Sequence, residues 1–191
     1  LFQSTVFPGA SDDEANKKIA AERKARKYKA RVYENFPIRH WDKWLEDTTR
    51  HIFIQPLEPG SKAQDLVAET TLAESPGFAG ASTLTGQDLQ AVWTPDGSGI
   101  VFAATMSKNQ AAYAQVKTDL YQLCLCGGEP KKLTKGPHSY SRPTFRPDGK
   151  ALYASEDRLN GKDAYSLDRL SMFSWPTVGE PSSLRQSSIV R

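Results

Sequence analysis

Two segments of the sequence nearly repeat one another, and this repeat constrains the fold more than any other feature. The first reads Trp93-Thr94-Pro95-Asp96-Gly97-Ser98-Gly99-Ile100-Val101-Phe102, and the second reads Phe145-Arg146-Pro147-Asp148-Gly149-Lys150-Ala151-Leu152-Tyr153. The two Pro-Asp-Gly turns lie 52 residues apart. Strand-type units at such a period are typical of a β-propeller, in which each repeat is one four-stranded blade. Because two units cannot close a ring, we expect the chain to be part of a larger protein.

The composition of the two turns predicts hairpins. Proline fixes φ near about −65° at the first central position, aspartate is tolerated at the second, and glycine then accepts a left-handed conformation. A type I turn followed by such a glycine joins antiparallel strands. We therefore predict hairpin turns at Pro95–Gly97 and Pro147–Gly149.

The repeat continues beyond the turns. After each turn comes a second strand-like run and then a Gly-Glu-Pro element. In the first copy these are Asp119-Leu120-Tyr121-Gln122-Leu123 and Gly128-Glu129-Pro130. In the second they are Asp168-Arg169-Leu170-Ser171-Met172-Phe173 and Gly179-Glu180-Pro181. Glu129 and Glu180 are 51 residues apart, and a weaker copy begins at His51. The predicted fold class is mainly β, a partial propeller of two to three blades of antiparallel strands. Its buried residues should include Trp93, Val101, Phe102, Leu120, Leu123, Phe145, Leu152, Tyr153 and Leu170.

The N-terminal part differs from the repeats. Residues 1–10 are predicted as the end of a preceding blade, residues 11–36 as a helical insertion, and residues 37–191 as blades with repeat units near 51–134 and 140–185. Ser11-Asp12-Asp13-Glu14 is typical of a capped helix start, so a helix is expected from about Asp12 to Arg31. Four apolar residues at helical spacing should form its packed stripe: Ala21, Ala25, Tyr28 and Val32.

That helix is strongly basic, which raises the question of nucleic-acid binding. Its cations are Lys17, Lys18, Arg23, Lys24, Arg26, Lys27, Lys29 and Arg31. Such a run suits a phosphate backbone, but acidic residues flank it at Asp12 to Glu14 and at Asp42 to Asp47. A formal net charge of +3 implies no particular partner. We expect no nucleic-acid partner, and a nucleic-acid-binding module remains the weakest alternative. Without a run of roughly 18 apolar residues, the sequence predicts no membrane span.

The cysteines and histidines do not form a metal-binding pattern. Cys124 and Cys126 lie two apart on one predicted strand, where both point to the same face and are poorly placed to bond each other. We interpret them as two small core or semi-buried residues. His40, His51 and His138 are scattered, so neither a zinc site nor a cofactor is predicted.

The segment Phe36-Pro37-Ile38-Arg39-His40-Trp41-Asp42-Lys43-Trp44 is the candidate site. One interpretation is structural: its aromatic residues pack on the blades, and Arg39 pairs with Asp42. The other is functional: its polar groups lie at the mouth of a substrate cavity. The candidate substrate-binding residues are Glu34, Arg39, His40, Trp41, Asp42 and Trp44.

These residues resemble a known family. Three segments are similar to elements of bacterial members of the prolyl oligopeptidase (S9) family: Arg39-His40-Trp41-Asp42-Lys43-Trp44, Trp93 to Gly97 and Gly128 to Thr134. The similarity is to the acylaminoacyl-peptidase and dipeptidyl-peptidase-like branch. It implies an N-terminal β-propeller of a serine peptidase, with TolB-like propellers sharing the Pro-Asp-Gly repeats.

The resemblance also implies what the chain lacks. In this family a C-terminal α/β-hydrolase domain carries the serine nucleophile in a Gly-x-Ser-x-Gly elbow, and this sequence contains no such motif. No catalytic residue is therefore expected here. The chain starts at Leu1 without a methionine and is expected to be a fragment. The implied partners are a peptide substrate and the C-terminal hydrolase domain of the parent protein, and a homo-oligomer is allowed. A periplasmic location is favoured over a cytoplasmic one. The alternative is a TolB-like interaction module.

Overall fold

The protein is mainly β: its described residues form three sheets of three to five strands, one two-stranded ribbon and few helices. The computed structural model describes residues 1–33, 38–40, 42–45, 47–81, 88–158 and 167–183. The chain divides into two compact units, the first formed by Leu1–Leu89 with Thr105–Val116 and the second by Gln90–Ala104 with Lys117–Arg191. In the described part of the chain, no helix has the length and apolar character needed to cross a bilayer.

The described residues of the first unit form a three-stranded sheet and a two-stranded ribbon. Its elements are β1 (Phe2–Val6), α1 (Asp13–Ala25), β2 (Arg39–His40), β3 (Lys43–Trp44), β4 (Thr49–Ile54), β5 (Gln64–Asp65), α2 (Thr71–Glu74), β6 (Ala79–Gly80) and a 3-10 helix (Lys108–Gln110). The sheet has the antiparallel order β1-β4-β5, with Phe2 opposite Phe53. Its buried apolar residues include Val6, Ile52 and Phe78.

Helix α1 begins where the sequence predicts and ends earlier than predicted. Asp12 caps it, because the Asp12 side chain accepts a hydrogen bond of 2.7 Å from the Ala15 N–H. The helix ends at Ala25, since Arg26 is extended with ψ of 134°. No residue of α1 is buried, and Tyr28 and Val32 are 60% and 81% exposed. The expected helix to Arg31 and the expected packed stripe were both wrong. Closely spaced cations beyond Arg23 repel one another and do not favour continuing the helix.

The second unit contains two antiparallel meanders of four strands each. The first comprises β7 (Val92–Trp93), β8 (Gly99–Thr105, whose last residue belongs to the first unit), β9 (Asp119–Cys124) and β10 (Lys131–Lys132). The second comprises β11 (Ser139–Phe145), β12 (Ala151–Asp157), β13 (Arg169–Ser174) and β14 (Ser182–Ser183). Each strand pairs with the next along the chain, as short hairpin connections favour.

The two meanders have matching registers. Trp93 pairs with Ile100, and Ile100 pairs with Leu123. In the second meander, Phe145 pairs with Leu152, and Leu152 pairs with Phe173. Both predicted hairpin turns are present, with Gly97 at φ of 69° and Gly149 at φ of 70°. The repeat in the sequence is thus a repeat in the backbone.

Most of the predicted core is buried, with two clear exceptions. Five of the predicted residues are buried: Val101, Phe102, Leu120, Leu123 and Leu152. Phe145 and Tyr153 are half-buried. Trp93 and Leu170 are 44% and 50% exposed, so their predicted burial was wrong. In β13 the alternation places Ser171 and Phe173 in the core, which turns Leu170 to the other face.

The prediction that Cys124 and Cys126 do not bond was also wrong, because the two form a disulfide with Cα atoms 5.1 Å apart. Strand β9 ends at Cys124, and Cys126 lies in the turn that follows. The same-face rule for a strand therefore does not apply to this pair. Both residues are exposed at the β9–β10 hairpin, so the interpretation as core or semi-buried residues was wrong as well.

Candidate functional site

The predicted site segment forms a short ribbon in the first unit. Strands β2 and β3 pair antiparallel, with Arg39 opposite Trp44. The guanidinium carbon of Arg39 lies 5.4 Å from the centroid of the Trp44 ring, a distance typical of a cation–π contact. The Tyr33 ring stacks on Trp44 with centroids 6.3 Å apart. The ribbon therefore presents a guanidinium and two aromatic rings together.

The structure describes only some of the predicted site residues. Arg39 and Asp42 are exposed, and Trp44 is 51% exposed. Glu34 and Trp41 lie outside the described residues, as does the side chain of His40. Because Trp44 is half-exposed, core packing accounts for only part of its surface. The substrate-binding role of the segment stays a prediction.

An open cavity of about 910 Å³ lies beside this ribbon, within the first unit. Tyr33 lines it, and so does Leu45, which follows β3. Its basic lining residues are Arg23, Lys24, Arg26, Lys29, Arg31 and Lys108. Phe7 and Phe78 add apolar walls. The sequence indicated the basic run but not that it lines a cavity.

The carboxylate of Asp47 also lines the cavity and is already paired. The Arg23 guanidinium donates two hydrogen bonds to Asp47, of 2.5 and 2.8 Å, and lies 4.5 Å from the centroid of the Phe7 ring. The hydrogen bond from Arg23 holds the pKa of Asp47 below its usual range, against the opposing effect of burial. This bidentate pair fixes the end of α1 to the segment that leads into β4.

Two further polar groups of the cavity wall are poorly solvated. Lys108 is half-buried at the start of the 3-10 helix, and burial lowers the pKa of its ammonium group. The Lys108 backbone N–H donates to the Gly77 carbonyl at 3.0 Å, which fixes its position. The buried hydroxyl of Tyr33 has no hydrogen-bond partner among the described residues. Both groups can donate to a ligand in the cavity.

A hydroxyl, an imidazole and a carboxylate are connected at the edge of the same cavity. The Thr49 hydroxyl lies 3.1 Å from His51 Nε2, and His51 Nδ1 lies 2.6 Å from Asp65 Oδ2. Asp65 also accepts hydrogen bonds from the Val67 and Ala68 N–H groups. The buried His51 therefore joins β4 to the end of β5, while Asp65 holds the turn that follows, and we assign this group a structural role. Sequence reasoning missed it, although Thr49 and His51 share one face of a strand.

The second unit has a separate polar cluster around Glu156, which is buried. Its carboxylate accepts hydrogen bonds from the Ser171 hydroxyl and from Arg158 Nε at 2.8 Å, and His138 Nε2 lies 4.0 Å away. Burial alone would raise the pKa of Glu156, but these two hydrogen bonds lower it overall. Within the described residues, no group of three or more histidine, cysteine, aspartate or glutamate side chains is arranged to hold a metal ion.

Comparison with known proteins gives two similar sequences, and no protein-family model matches the chain. The chain is 30% identical over 151 residues to dipeptidyl-peptidase 5 of Porphyromonas endodontalis, which covers 77% of this chain and 20% of that protein. It is 27% identical over 148 residues to dipeptidyl-peptidase 5 of Porphyromonas gingivalis, which covers 75% of this chain and 20% of that protein. The chain thus matches about a fifth of the length of these curated relatives. The similarity supports a relation to the dipeptidyl-peptidase family.

Proposed function

We propose that this chain is part of the β-propeller domain of an S9-type serine peptidase that removes dipeptides from short peptides. The observation that carries the proposal is the similarity to two dipeptidyl-peptidases 5 over about three quarters of the chain. In the proposed enzyme the propeller limits access to the catalytic domain, so that only short peptides enter. TolB-like propellers used for protein interaction are the alternative.

The second unit supports the propeller part of this proposal. It contains two four-stranded antiparallel meanders whose hairpin turns lie 52 residues apart in the sequence. A propeller blade is a four-stranded antiparallel sheet, and blades repeat along the chain. The matching registers of Ile100 and Leu152 extend the likeness from the turns to the paired strands.

The catalytic residues of the proposed enzyme come from an α/β-hydrolase domain. Peptide hydrolysis by this route needs a serine nucleophile, a histidine base and an oxyanion hole. The Gly-x-Ser-x-Gly elbow that presents such a serine does not occur in this sequence. The proposed chain therefore binds and admits substrate, and the proposed chemistry requires neither a metal ion nor an organic cofactor.

The ribbon is the proposed substrate contact of this chain. Arg39, Asp42 and Trp44 are at least half-exposed. A carboxylate at Asp42 or Glu34 suits the free ammonium group of a peptide, and the planar fork of Arg39 suits a carbonyl or carboxylate. Trp44, with Trp41 three residues before it, would form an apolar subsite, and His40 completes the proposed set.

Activity of the complete gene product tests the family assignment. We expect the protein to hydrolyse dipeptidyl substrates with a chromogenic leaving group and to react with a fluorophosphonate probe. The 191-residue chain alone should do neither. If the complete product remains unlabelled while folded, the interaction-module alternative replaces the peptidase proposal. Labelling of the isolated chain would also contradict the proposal.

Substitutions in the ribbon test the proposed contact. In the complete enzyme, Arg39→Ala and Asp42→Ala should raise KM or lower kcat/KM while the melting temperature stays the same. Lys62→Ala is the matched control, because Lys62 is exposed on a loop and absent from the cavity lining. Unchanged kinetics with a lower melting temperature would assign the ribbon a structural role.

A further inference from the structure

The cavity beside the ribbon has an unbalanced charge. Six lysine and arginine side chains line it, against the single carboxylate of Asp47 among its described lining residues. Because Arg23 already holds Asp47 through two hydrogen bonds, that carboxylate does not neutralise the remaining cations. Within the described residues, no ion pair involves Lys24, Arg26, Lys29, Arg31 or Lys108. The described lining residues of the cavity therefore carry a net positive charge.

The cations come from two distant parts of the sequence. Arg23 and Lys24 lie in the last turn of α1, and three further cations follow the helix in the chain: Arg26, Lys29 and Arg31. Lys108 comes from the 3-10 helix. Lysine at position 108 is half-buried, and removing an ammonium group from water without a counter-ion costs free energy. A solvated basic face does not require such a group. An anion in the cavity would offset this cost.

The remaining wall has groups that suit the same ligand. The buried Tyr33 hydroxyl has no hydrogen-bond partner among the described residues, so its O–H is available to an acceptor. Phe7, Pro76 and Phe78 provide apolar contacts. A volume of about 910 Å³ is within the range for small-molecule sites.

We propose that this cavity binds a small oxyanion with two or more negative charges, held by Lys108, Tyr33 and the cations that follow α1. Phosphate esters and polycarboxylates share this chemistry. The site lies next to the ribbon but does not depend on the peptidase assignment. Binding is therefore measurable whether or not the complete protein cleaves peptides.

Calorimetric titration of the folded chain with inorganic pyrophosphate and, separately, with citrate tests the proposal. We expect one binding site that weakens as ionic strength rises, because screening reduces attraction to partly exposed cations. Lys108→Gln should weaken binding by about tenfold, the usual effect of losing a hydrogen bond between charged groups. Tyr33→Phe should also weaken it by about tenfold, because the Tyr33 hydroxyl donates to a charged acceptor. Lys62→Gln, which removes an exposed lysine outside the cavity, should leave the affinity unchanged.

The two probes also identify the ligand class. Preference for pyrophosphate would indicate a phosphate ester, preference for citrate would indicate a polycarboxylate, and equal affinity would support a general oxyanion site. Absence of saturable binding for both probes would overturn the proposal. So would an equal loss in Lys62→Gln, because that would indicate diffuse attraction to the whole surface. If Lys108→Gln fails to fold, the exposed pair Lys29→Gln with Arg31→Gln provides the same test.

Discussion

The hairpin around Gly97 and the hairpin around Gly149 have the same backbone but are held by different side chains. In the first, the Gly97 N–H donates to the Thr94 carbonyl at 2.9 Å; in the second, the Gly149 N–H donates to the Arg146 carbonyl at 2.9 Å. The buried Thr94 hydroxyl binds Asp96 at 2.7 Å, whereas the Arg146 guanidinium binds Asp148 from a partly exposed position. The same turn is thus fixed by a neutral buried hydroxyl in one hairpin and by an ion pair in the other.

The strands that follow these turns differ in burial as well. All seven residues of β8 are buried, while β12 alternates between buried and half-buried residues. A strand that is covered on both faces needs apolar or small residues at each position, and β8 reads Gly99-Ile100-Val101-Phe102-Ala103-Ala104-Thr105. The repeat therefore specifies the backbone, and the surroundings of each copy specify its side chains.

Truncation of the central core residue should have the largest effect and should be alike in the two copies. Ile100 and Leu152 are both fully buried at the same register position. We expect Ile100→Ala and Leu152→Ala each to lower the free energy of unfolding by about 2–5 kcal/mol, from lost burial and a residual cavity. Urea unfolding measures this. A loss in one variant less than half that in the other would break the equivalence of the copies.

Removal of the side chain that holds each turn should lower the free energy of unfolding by different amounts in the two hairpins. In Thr94→Val the buried Gly99 N–H loses the acceptor that it contacts at 3.0 Å. The expected loss is about 1–3 kcal/mol, the cost of an unsatisfied buried group. Arg146→Gln should cost clearly less, since a solvent-exposed ion pair contributes little. Thermal unfolding of both variants checks the order, and equal losses would contradict the assigned difference.

Substitution of the turn glycines should affect both copies, and the second more strongly. Gly97→Ala and Gly149→Ala place a side chain at φ of about 70°, which costs about 1–2 kcal/mol for a residue other than glycine. A Cβ atom at position 149 would also lie 2.9 Å from the Pro95 Cβ, whereas position 97 has open space around it. Gly149→Ala should therefore have the lower urea midpoint. A reversed order would place this contact in doubt.

The smallest expected effect is a difference in how the pKa values of Asp96 and Asp148 respond to salt concentration. Hydrogen bonds from Thr94 and Ser98 lower the pKa of Asp96, and a hydrogen bond from Arg146 with that from the Lys150 N–H lowers the pKa of Asp148. Because both pKa values are lower in the folded state, each interaction stabilises the fold above the ordinary aspartate pKa and is lost as pH falls through the folded-state value.

Raising the salt concentration should move the pKa of Asp148 upward and leave that of Asp96 nearly unchanged, since salt screens an exposed ion pair but not a neutral hydroxyl. Side-chain NMR titration at about 0.1 and 1 M NaCl measures both. Equal salt shifts at the two aspartates would remove the proposed distinction between the hairpins.

The elements that local chemistry specifies were predictable. The Pro-Asp-Gly turns and the strand alternation after them gave the hairpins, and Asp12 gave the start of α1. The end of α1 was not predictable from apolar spacing, because Tyr28 and Val32 have helical spacing but remain exposed. The disulfide was missed because the predicted strand continued past Cys124 to include Cys126, whereas β9 ends at Cys124.

The candidate site was predictable only in part. The sequence indicates the ribbon as a cluster of unusual residues, and the structure brings Arg39 and Trp44 together within it. The cavity depends on contacts between distant segments, since Asp47 and Lys108 meet the end of α1 from 22 or more residues away. Such contacts have no local sequence signal. The sequence therefore did not predict that the basic run lines a cavity.

Helix α1 has no buried residue, and this has a consequence for its dynamics. An isolated helix of its 13 residues is marginal in water, so α1 depends on the Asn16 contacts with Thr5 and Phe7 and on the Arg23–Asp47 pair. Its amide protons should exchange with solvent through local opening, whereas those of the sheets should exchange more slowly, through larger unfolding events. Because Arg23 and Lys24 leave the cavity wall when the helix opens, an anion bound there would slow that exchange. Amide exchange along α1 would then report occupancy of the cavity.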